Sequence, residues 1–319
     1  MSRARRPAVR LSRRRAAVLR TRLDALVADT DPGDRLAADP LRFARAWSAP
    51  EDAEVAAVFA SGLAFGRVAA FGPVIEAILR RAASRGGPRA WVDGFDAQEA
   101  DWLAPMQYRW LRGRDLALLA WSLQRVLADA GRLGALAEAA YTGDPHPRSA
   151  AGVLGAVIEP LRAAALEAAP RVGVTASEWR GLPRGIRYLL PLPSGGSACK
   201  RWCMFLRWMV RRPGPGAAGV DLGLWDLPPA VVVIPVDVHV HRIARYIGLT
   251  RRPEASWRTA VEITSNLARL DPADPTRYDF ALAHLGISGA CRGRWVPGIC
   301  GSCALLGVCA AAGRSNPNP

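Results

Sequence analysis

The chain contains a single lysine, Lys200, among its 43 lysine and arginine residues. An arginine guanidinium stays protonated and is a very poor nucleophile, whereas a lysine amine can lose its proton and attack a carbon to form a Schiff base. Because arginine supplies positive charge nearly everywhere else, the one retained lysine is a candidate nucleophile. The alternative interpretation is a packing position that accepts only a thin side chain.

Lys200 follows a turn that is rich in Pro, Ser and Gly. Residues 191–210 read PLPSGGSACKRWCMFLRWMV, and the helical stretch 177–190 precedes them, so the pattern predicts a helix-hairpin-helix. Glycines in such a turn let backbone N–H groups approach a nucleic-acid phosphate, which the following helix N-terminus also favours. Ser197 is the predicted N-cap. The candidate DNA-contacting residues of the hairpin are Ser194, Gly195, Gly196 and Ser197.

A second segment, IPVDVHVHRIARYIGL at 234–249, places Asp237 just before a predicted helix. Its carboxylate could cap that helix, or it could stand at the mouth of a cleft and assist proton transfer, and the two roles are compatible. His239 and His241 lie two residues apart and so point to different faces of a helix, which does not favour a metal pair. His239 is a candidate phosphate contact.

Four of the six cysteines, Cys291, Cys300, Cys303 and Cys309, lie in the run CRGRWVPGICGSCALLGVC. Their Cys-x8-Cys-x2-Cys-x5-Cys spacing predicts a metal site. Structural zinc sites usually pair two Cys-x2-Cys knuckles, whereas four thiolates in one compact run suit an iron–sulfur cluster at least as well. The other two, Cys199 and Cys203, are expected to be packing thiols.

The segments LPSGGSACKRWCMFL and VIPVDVHVHRIA together resemble the core of the helix-hairpin-helix DNA glycosylase superfamily, which includes endonuclease III and the 8-oxoguanine glycosylases. Many members carry a Leu-Pro-Gly-x-Gly-x-Lys hairpin followed by Pro-Val-Asp-x-His. The hairpin here has two extra residues before Lys200, and the 37-residue interval to Asp237 is about twice the usual one. The cysteine run is similar to the endonuclease III cluster loop, with Cys-Gly-Ser-Cys at its centre and two extra residues after Cys291.

This resemblance, which covers about 180–309, implies an all-α, two-lobed glycosylase fold with a C-terminal iron–sulfur cluster loop. It implies that Lys200 attacks C1′ of a flipped, damaged nucleotide with Asp237 assisting, so that the enzyme excises the base and cleaves the strand by β-elimination. It also implies a [4Fe-4S] cluster on the four cysteines, with zinc as the alternative. Arg292 and Arg294 would contact DNA phosphates. The expected partner is double-stranded DNA carrying a base lesion.

Composition agrees with a polyanionic partner, because the formal charge is +15 and the sequence pI is near 10.9. No run approaches 18 apolar residues, so no membrane span is expected, and the chain is expected to be a cytoplasmic monomer. Residues 1–22 hold nine arginines and no acid, which predicts a disordered basic arm over 1–15. We expect the helical domain over 16–312, with the hairpin and catalytic segment at about 177–249 and the cluster loop at 291–309, and a flexible tail over 313–319.

Apolar residues at three- and four-residue spacing predict an almost entirely helical chain. One β-branched run, 230–236, has no partner strand and is expected to run extended into the next helix, and 213–219 is expected to be loose. The predicted helices are 16–28, 40–47, 52–63, 68–83, 116–130, 149–168, 175–182, 199–212, 239–246, 255–270 and 276–285.

Other functions stay open from the residues alone. A catalytically silent DNA-binding protein would keep the hairpin, the charge and the cysteines without needing Lys200 and Asp237 together. A monofunctional glycosylase would use Asp237 and water, and a related enzyme could act on RNA or on a nucleotide. The lesion cannot be assigned, because its pocket is built from scattered residues.

Overall fold

The computed structural model describes residues 8–147, 149–173 and 182–312, and within them the chain is almost entirely helical. Two short strands, β1 (Gln107–Tyr108) and β2 (Leu111–Arg112), pair antiparallel. The helices are α1 (Arg13–Ala28), α2 (Gly33–Ala37), α3 (Leu41–Arg45), α4 (Pro50–Leu63), α5 (Val68–Ala83), α6 (Pro88–Asp93), α7 (Ala97–Leu103), α8 (Gly113–Ala130), α9 (Leu133–Ala139), α10 (Ala150–Ala168), α11 (Arg184–Leu189), α12 (Lys200–Val210), α13 (Val238–Tyr246), α14 (Trp257–Leu267), α15 (Asp279–Ile287) and α16 (Pro297–Cys300). The predicted all-α class is confirmed.

The helices pack in two groups around one continuous hydrophobic core. In the first group α8 lies against α10, α7 and α6, and α4 lies against α3, α5 and α6. In the second group α13 and α1 pack on α15. Helix α12, which begins at Lys200, packs on α4 and so joins the candidate catalytic segment to the first group. Within the described residues no helix is long and apolar enough to cross a bilayer.

The predicted helix over 68–83 is confirmed at both ends. Helix α1 begins at Arg13, three residues earlier than predicted, because the Ser12 hydroxyl accepts a hydrogen bond from the backbone N–H of Arg15 and caps the helix. Helix α12 is shorter than the predicted 199–212. The predicted helix over 175–182 and the tail over 313–319 lie outside the described residues, apart from position 182.

The expectation of a disordered arm over 1–15 is wrong for residues 8–15, whereas residues 1–7 lie outside the description. Leu11 is buried, and its backbone N–H donates to the Asn266 side chain at 3.0 Å. The Asn266 amide donates in turn to the carbonyl of Val9. The guanidinium of Arg15 donates to the carbonyls of Ile247 and Val308. Charge composition could not reveal these contacts, because their partners lie more than 200 residues away in the sequence.

Residues 232–236 run extended towards α13, as predicted for a β-branched segment without a partner strand, whereas residues 230 and 231 belong to a 3-10 turn. All of residues 230–236 are buried. The backbone N–H of Ile234 donates to the Thr264 hydroxyl at 3.0 Å. This bond satisfies a polar group that would otherwise be unpaired in the core. The segment ends at Asp237 and therefore delivers that carboxylate from the core to the start of α13.

The segment 213–219 is ordered, contrary to expectation, because the ionic groups on either side of it are buried together. Asp221 is fully buried and pairs with Arg207 at 3.1 Å and with Arg211 at 2.5 Å, both on α12. Arg207 also pairs with Asp279 of α15, and Arg211 pairs with Asp274 at 2.8 Å. The ionic network therefore ties α12 to the loop after it and to α15.

Candidate functional site

The hairpin before Lys200 is an exposed turn. Ser194 to Ser197 are all exposed, and a side chain at Gly195 or Gly196 would meet no atom within 4 Å. Gly196 has φ of +77°, a conformation that suits glycine. Its carbonyl accepts from the backbone N–H of Trp257, so the turn is tied to the start of α14. The turn therefore leaves its backbone open to a large ligand such as a nucleic-acid strand.

Ser197 is not the N-cap of α12, because that helix begins two residues later than the cap prediction requires. The N-cap is Cys199, which has the left-handed φ of 47° that is uncommon for residues with a side chain. The Ser197 hydroxyl instead accepts from the backbone N–H of Cys199 at 3.2 Å. Because Cys199 adopts this conformation, Lys200 is the first residue of α12. Nothing in the sequence indicates that Cys199 adopts it.

Lys200 and Asp237 meet across 37 residues of sequence. The Lys200 Nζ lies 3.5 Å from the Asp237 Oδ2, and their side chains are 34% and 17% exposed. The amine is therefore open to a ligand while a carboxylate oxygen stands beside it. Such an oxygen can orient the amine and accept a proton from it.

Asp237 caps α13, which is one of the two roles that the sequence left open, and it also stands beside Lys200. Its Oδ1 accepts from the backbone N–H groups of His239 at 2.9 Å and Val240 at 2.8 Å, which caps α13. Its other oxygen faces Lys200. Because the cap fixes one oxygen, the orientation of the oxygen beside the amine is also fixed. Val238, the first residue of α13, is 72% exposed.

A buried carboxylate lies behind the Lys200–Asp237 pair. The pKa of Asp279 is raised to about 6, mainly by burial and also by the nearby charge of Asp237, against the opposing effect of Arg207. Asp279 Oδ1 is buried with no hydrogen-bond partner among the described residues. Asp279 therefore lies close enough to Asp237 for the two carboxylates to influence each other electrostatically, although no local sequence pattern connects them.

Arg201 and an aromatic cluster were missed by the sequence reasoning. Arg201 donates to the carbonyls of Gly62 and Tyr188 and stacks on the Tyr188 ring at 3.6 Å. It forms no ion pair with any described residue, and burial lowers its pKa to about 10. The Tyr188 ring contacts Phe65 and the partly exposed Trp110 at 4.9 and 5.0 Å. This cluster places aromatic surface and positive charge beside the start of the Lys200 helix.

His239 is partly exposed and packs on α15. A Cβ at Gly286 would lie 2.5 Å from the His239 Cβ, so only glycine allows this approach. The His239 Nδ1 is 3.5 Å from the Arg242 guanidinium. His241 instead pairs through Nε2 with the carbonyl of Arg252 at 3.0 Å. The two histidines therefore have separate partners, in agreement with their spacing.

The cysteine loop is anchored to the Asp237 helix. The Arg242 guanidinium donates to the carbonyl of Cys291 at 3.2 Å, and the Tyr246 hydroxyl donates to the carbonyl of Gly293 at 2.6 Å. The backbone N–H of Ala310 donates to the carbonyl of Tyr246. The loop and the Lys200–Asp237 site therefore share α13 as a support. Arg292 and Arg294 are exposed in this loop.

The four cysteines of the loop are free and partly buried. Burial raises the pKa of Cys303, and the other three cysteines of the loop act in the same direction. No group of three His, Cys, Asp or Glu side chains in the described part of the chain is arranged to hold a metal ion. The donor set fits a cluster chemically, because four thiols on one short loop can all become ligands.

Cys199 and Cys203 are buried thiols, as predicted. Burial raises the pKa of Cys199 to about 11 and raises that of Cys203 as well. Both therefore stay protonated at neutral pH and are poor nucleophiles and poor ligands. They pack on the buried side of the hairpin.

Comparison with known proteins identifies a family without assigning a function. Neither the curated proteins nor the solved structures contain a match to the chain. One family model, described as a protein of unknown function, matches residues 39–288, a range that includes Lys200 and Asp237 and ends before the cysteine loop. This match covers most of the chain, which therefore belongs to the family DUF2400.

Proposed function

We propose that the protein is a DNA repair glycosylase that excises a damaged base and then cleaves the strand through a Schiff base on Lys200. The observation that carries the proposal is the 3.5 Å approach of the Lys200 Nζ to the Asp237 Oδ2 at the end of an exposed hairpin. The only lysine of the chain is thereby paired with a carboxylate at a site that a nucleic-acid strand can reach. We propose the two-lobed helix-hairpin-helix glycosylase fold as the frame of this site.

In the proposed reaction the damaged nucleotide is flipped out of the duplex, at a cost of a few kcal/mol. The Lys200 amine forms a bond to C1′ as the C1′–N bond to the base breaks, and the base leaves with that electron pair and takes up a proton. Asp237 accepts the proton that the attacking amine loses. Opening of the sugar ring gives the imine, and loss of a C2′ proton then expels the 3′ phosphate.

Charge and surface around the site support a DNA partner. Arg292 and Arg294 are exposed on the loop that α13 anchors, and the hairpin residues Ser194 to Ser197 are exposed as well. Within the hairpin, the backbone N–H groups of Gly195 and Gly196 already donate to the carbonyls of Leu192 and Pro193. The exposed side chains of Val238 and Trp110 supply apolar and aromatic contacts for a sugar or a base. Double-stranded DNA with a base lesion is the proposed ligand of a monomeric enzyme.

We propose that Cys291, Cys300, Cys303 and Cys309 hold a [4Fe-4S] cluster, with a single zinc ion as the alternative. A bound metal would fix the loop that presents Arg292 and Arg294. Because Arg242 and Tyr246 tie this loop to α13, its order bears on the position of Asp237. The cluster therefore has a structural role in the proposal and takes no part in the reaction at C1′.

A silent DNA-binding protein is the second candidate, and one observation favours it. Asp237 already has a structural role as the cap of α13, and an ion pair with Lys200 could be structural as well. A monofunctional glycosylase, in which Asp237 activates water, would use the same pocket without a covalent adduct. Both alternatives predict no trapped complex.

Borohydride trapping distinguishes these functions. Reduction should link the protein covalently to DNA that carries a mixture of oxidised, alkylated and abasic sites. Lys200→Arg keeps the charge and should keep DNA binding, yet it removes the nucleophile and should abolish the adduct. Equal trapping by the variant and the wild type would overturn the Lys200 mechanism, and no trapping by either would favour the two alternatives.

A further inference from the structure

A cavity of about 740 Å³ lies apart from the Lys200–Asp237 pair, neither of which lines it. One wall is the segment 8–10, which Asn266 holds in place through the carbonyl of Val9, and another is α14. Pockets for small ligands typically measure about 300–1,000 Å³. This cavity therefore has the size of a site for a molecule such as a nucleotide.

The lining is strongly basic. Arg10, Arg252, Arg258 and Arg269 all contribute to it, and Glu262 is its only carboxylate. Both Glu262 oxygens are already engaged, because one accepts from the Thr250 hydroxyl at 2.9 Å and the other pairs with Arg252 at 2.6 Å. The carboxylate thus offsets Arg252 alone, and the cavity retains a net positive charge.

The other three arginines have no partners within the described parts of the chain. The side chains of Arg10, Arg258 and Arg269 form no hydrogen bond or ion pair there, and the Arg269 Nε is buried without an acceptor. A buried donor without an acceptor is costly. Phosphate oxygens suit such guanidinium donors, because they can accept two parallel hydrogen bonds from one guanidinium.

The rest of the lining suits a planar ring. Trp257 is partly exposed and lines the cavity beside the apolar side chains of Val9 and Val261. Indole rings stack on nucleobases of any sequence. We propose that this cavity binds a nucleoside phosphate, with its phosphate on the arginines and its base against Trp257.

Two sources could supply this ligand, namely a free nucleotide or a nucleotide unit of a single-stranded nucleic acid. The proposal does not depend on chemistry at Lys200, because neither Lys200 nor Asp237 lines the cavity. Calorimetric titration of the full chain with AMP, with ATP and with a short 5′-phosphorylated oligothymidylate compares the sources. Binding of the free nucleotides supports a small-molecule site, and binding of the oligonucleotide alone supports a strand-binding site.

Arg258→Gln is the test variant, because Arg258 is exposed and its loss should not unfold the protein. We expect its affinity for the bound ligand to fall about tenfold or more, as one charge-assisted interaction with phosphate is lost. Arg251→Gln is the matched control, since Arg251 is exposed and lies outside the lining. Equal losses in both variants would show attraction to the general charge of the protein and would overturn the site, as would the absence of binding to any of the three ligands.

Ribose 5-phosphate tests the ring contact separately. It carries the phosphate without a base, so it should bind more weakly than AMP if Trp257 contributes stacking. Equal affinity for the two would refute the assigned position of the base. Adenosine that binds as well as AMP would refute the role of the arginines.

Discussion

Arg207→Met removes the residue that pairs with both Asp221 and Asp279 in the buried ionic network. The variant tests how much this network contributes to the free energy of unfolding. The side chains of Arg207 and Asp279 are each only 4% exposed, and Arg207 is the only ion-pair partner of Asp279 in the described residues. Asp221 would retain Arg211. Methionine keeps the apolar stem, so the main consequence is an unpaired carboxylate in the core.

The expected loss of stability is about 3–5 kcal/mol at pH 8, which is typical when one partner of a buried ion pair is removed. The pKa of Asp279, about 6 in the folded protein, already lies above the ordinary value of 3.8. Loss of Arg207 raises it further. A carboxyl group with a raised folded pKa stabilises the protein when protonated, so its contribution falls as the pH rises through that pKa. The variant should therefore lose clearly less stability at pH 5 than at pH 8.

Urea denaturation followed by circular dichroism at the two pH values measures this difference. Arg125→Met is the control, because Arg125 and Asp129 form an exposed pair that contributes about 0.5 kcal/mol or less. Arg207→Met/Asp279→Asn should be more stable than Arg207→Met at pH 8, since the unpaired charge is absent. A loss in Arg207→Met that is the same at both pH values would show that packing, and not the buried charge, explains the effect.

Four further predictions concern the site and its supports. Asp237→Asn should retain the cap of α13, whereas Asp237→Ala should lose about 0.5–2 kcal/mol of stability in thermal unfolding; equal stability of the two variants would contradict the capping role. In the borohydride assay Asp237→Asn should still slow trapping about a hundredfold or more, because its amide cannot accept the proton, and unchanged trapping would remove Asp237 from the reaction. Anaerobically purified protein should be brown with about four irons per chain, and Cys303→Ser should lower that content; a colourless protein with one zinc would contradict the cluster assignment. Removal of residues 1–15 should reduce stability, because Leu11 and Arg15 contact distant parts of the chain, and unchanged unfolding in urea would show that these contacts contribute little.

Local signals predicted the parts of the fold that local interactions determine. The helix over 68–83 follows from its apolar spacing, and the extended course of 232–236 follows from its β-branched residues. The approach of Lys200 to Asp237 was an expectation from resemblance, and the geometry agrees with it. The Cys199 conformation was not predictable, because nothing in its residue type favours a positive φ.

Contacts between residues that lie far apart in the sequence could not be predicted from the sequence pattern. The acidic partners of Arg207 and Arg211 lie up to 72 residues away, and many arginines compete for them. The segment 213–219, rich in Gly and Pro, gives no local sign that the adjacent Asp221 is buried. The basic cavity combines residues 8–10 with α14, so only the folded chain shows that these arginines converge.

The attachment site of the trapped adduct tests the central claim most directly. Wild-type protein is reduced with borohydride on lesion-bearing DNA, the complex is digested, and the modified peptide is sequenced by mass spectrometry. Since Lys200 is the only lysine of the sequence, a recombinant protein that starts at Met1 has one other aliphatic amine, the amino group of Met1. The proposal predicts the deoxyribose remnant on Lys200; a remnant on Met1 alone would contradict it.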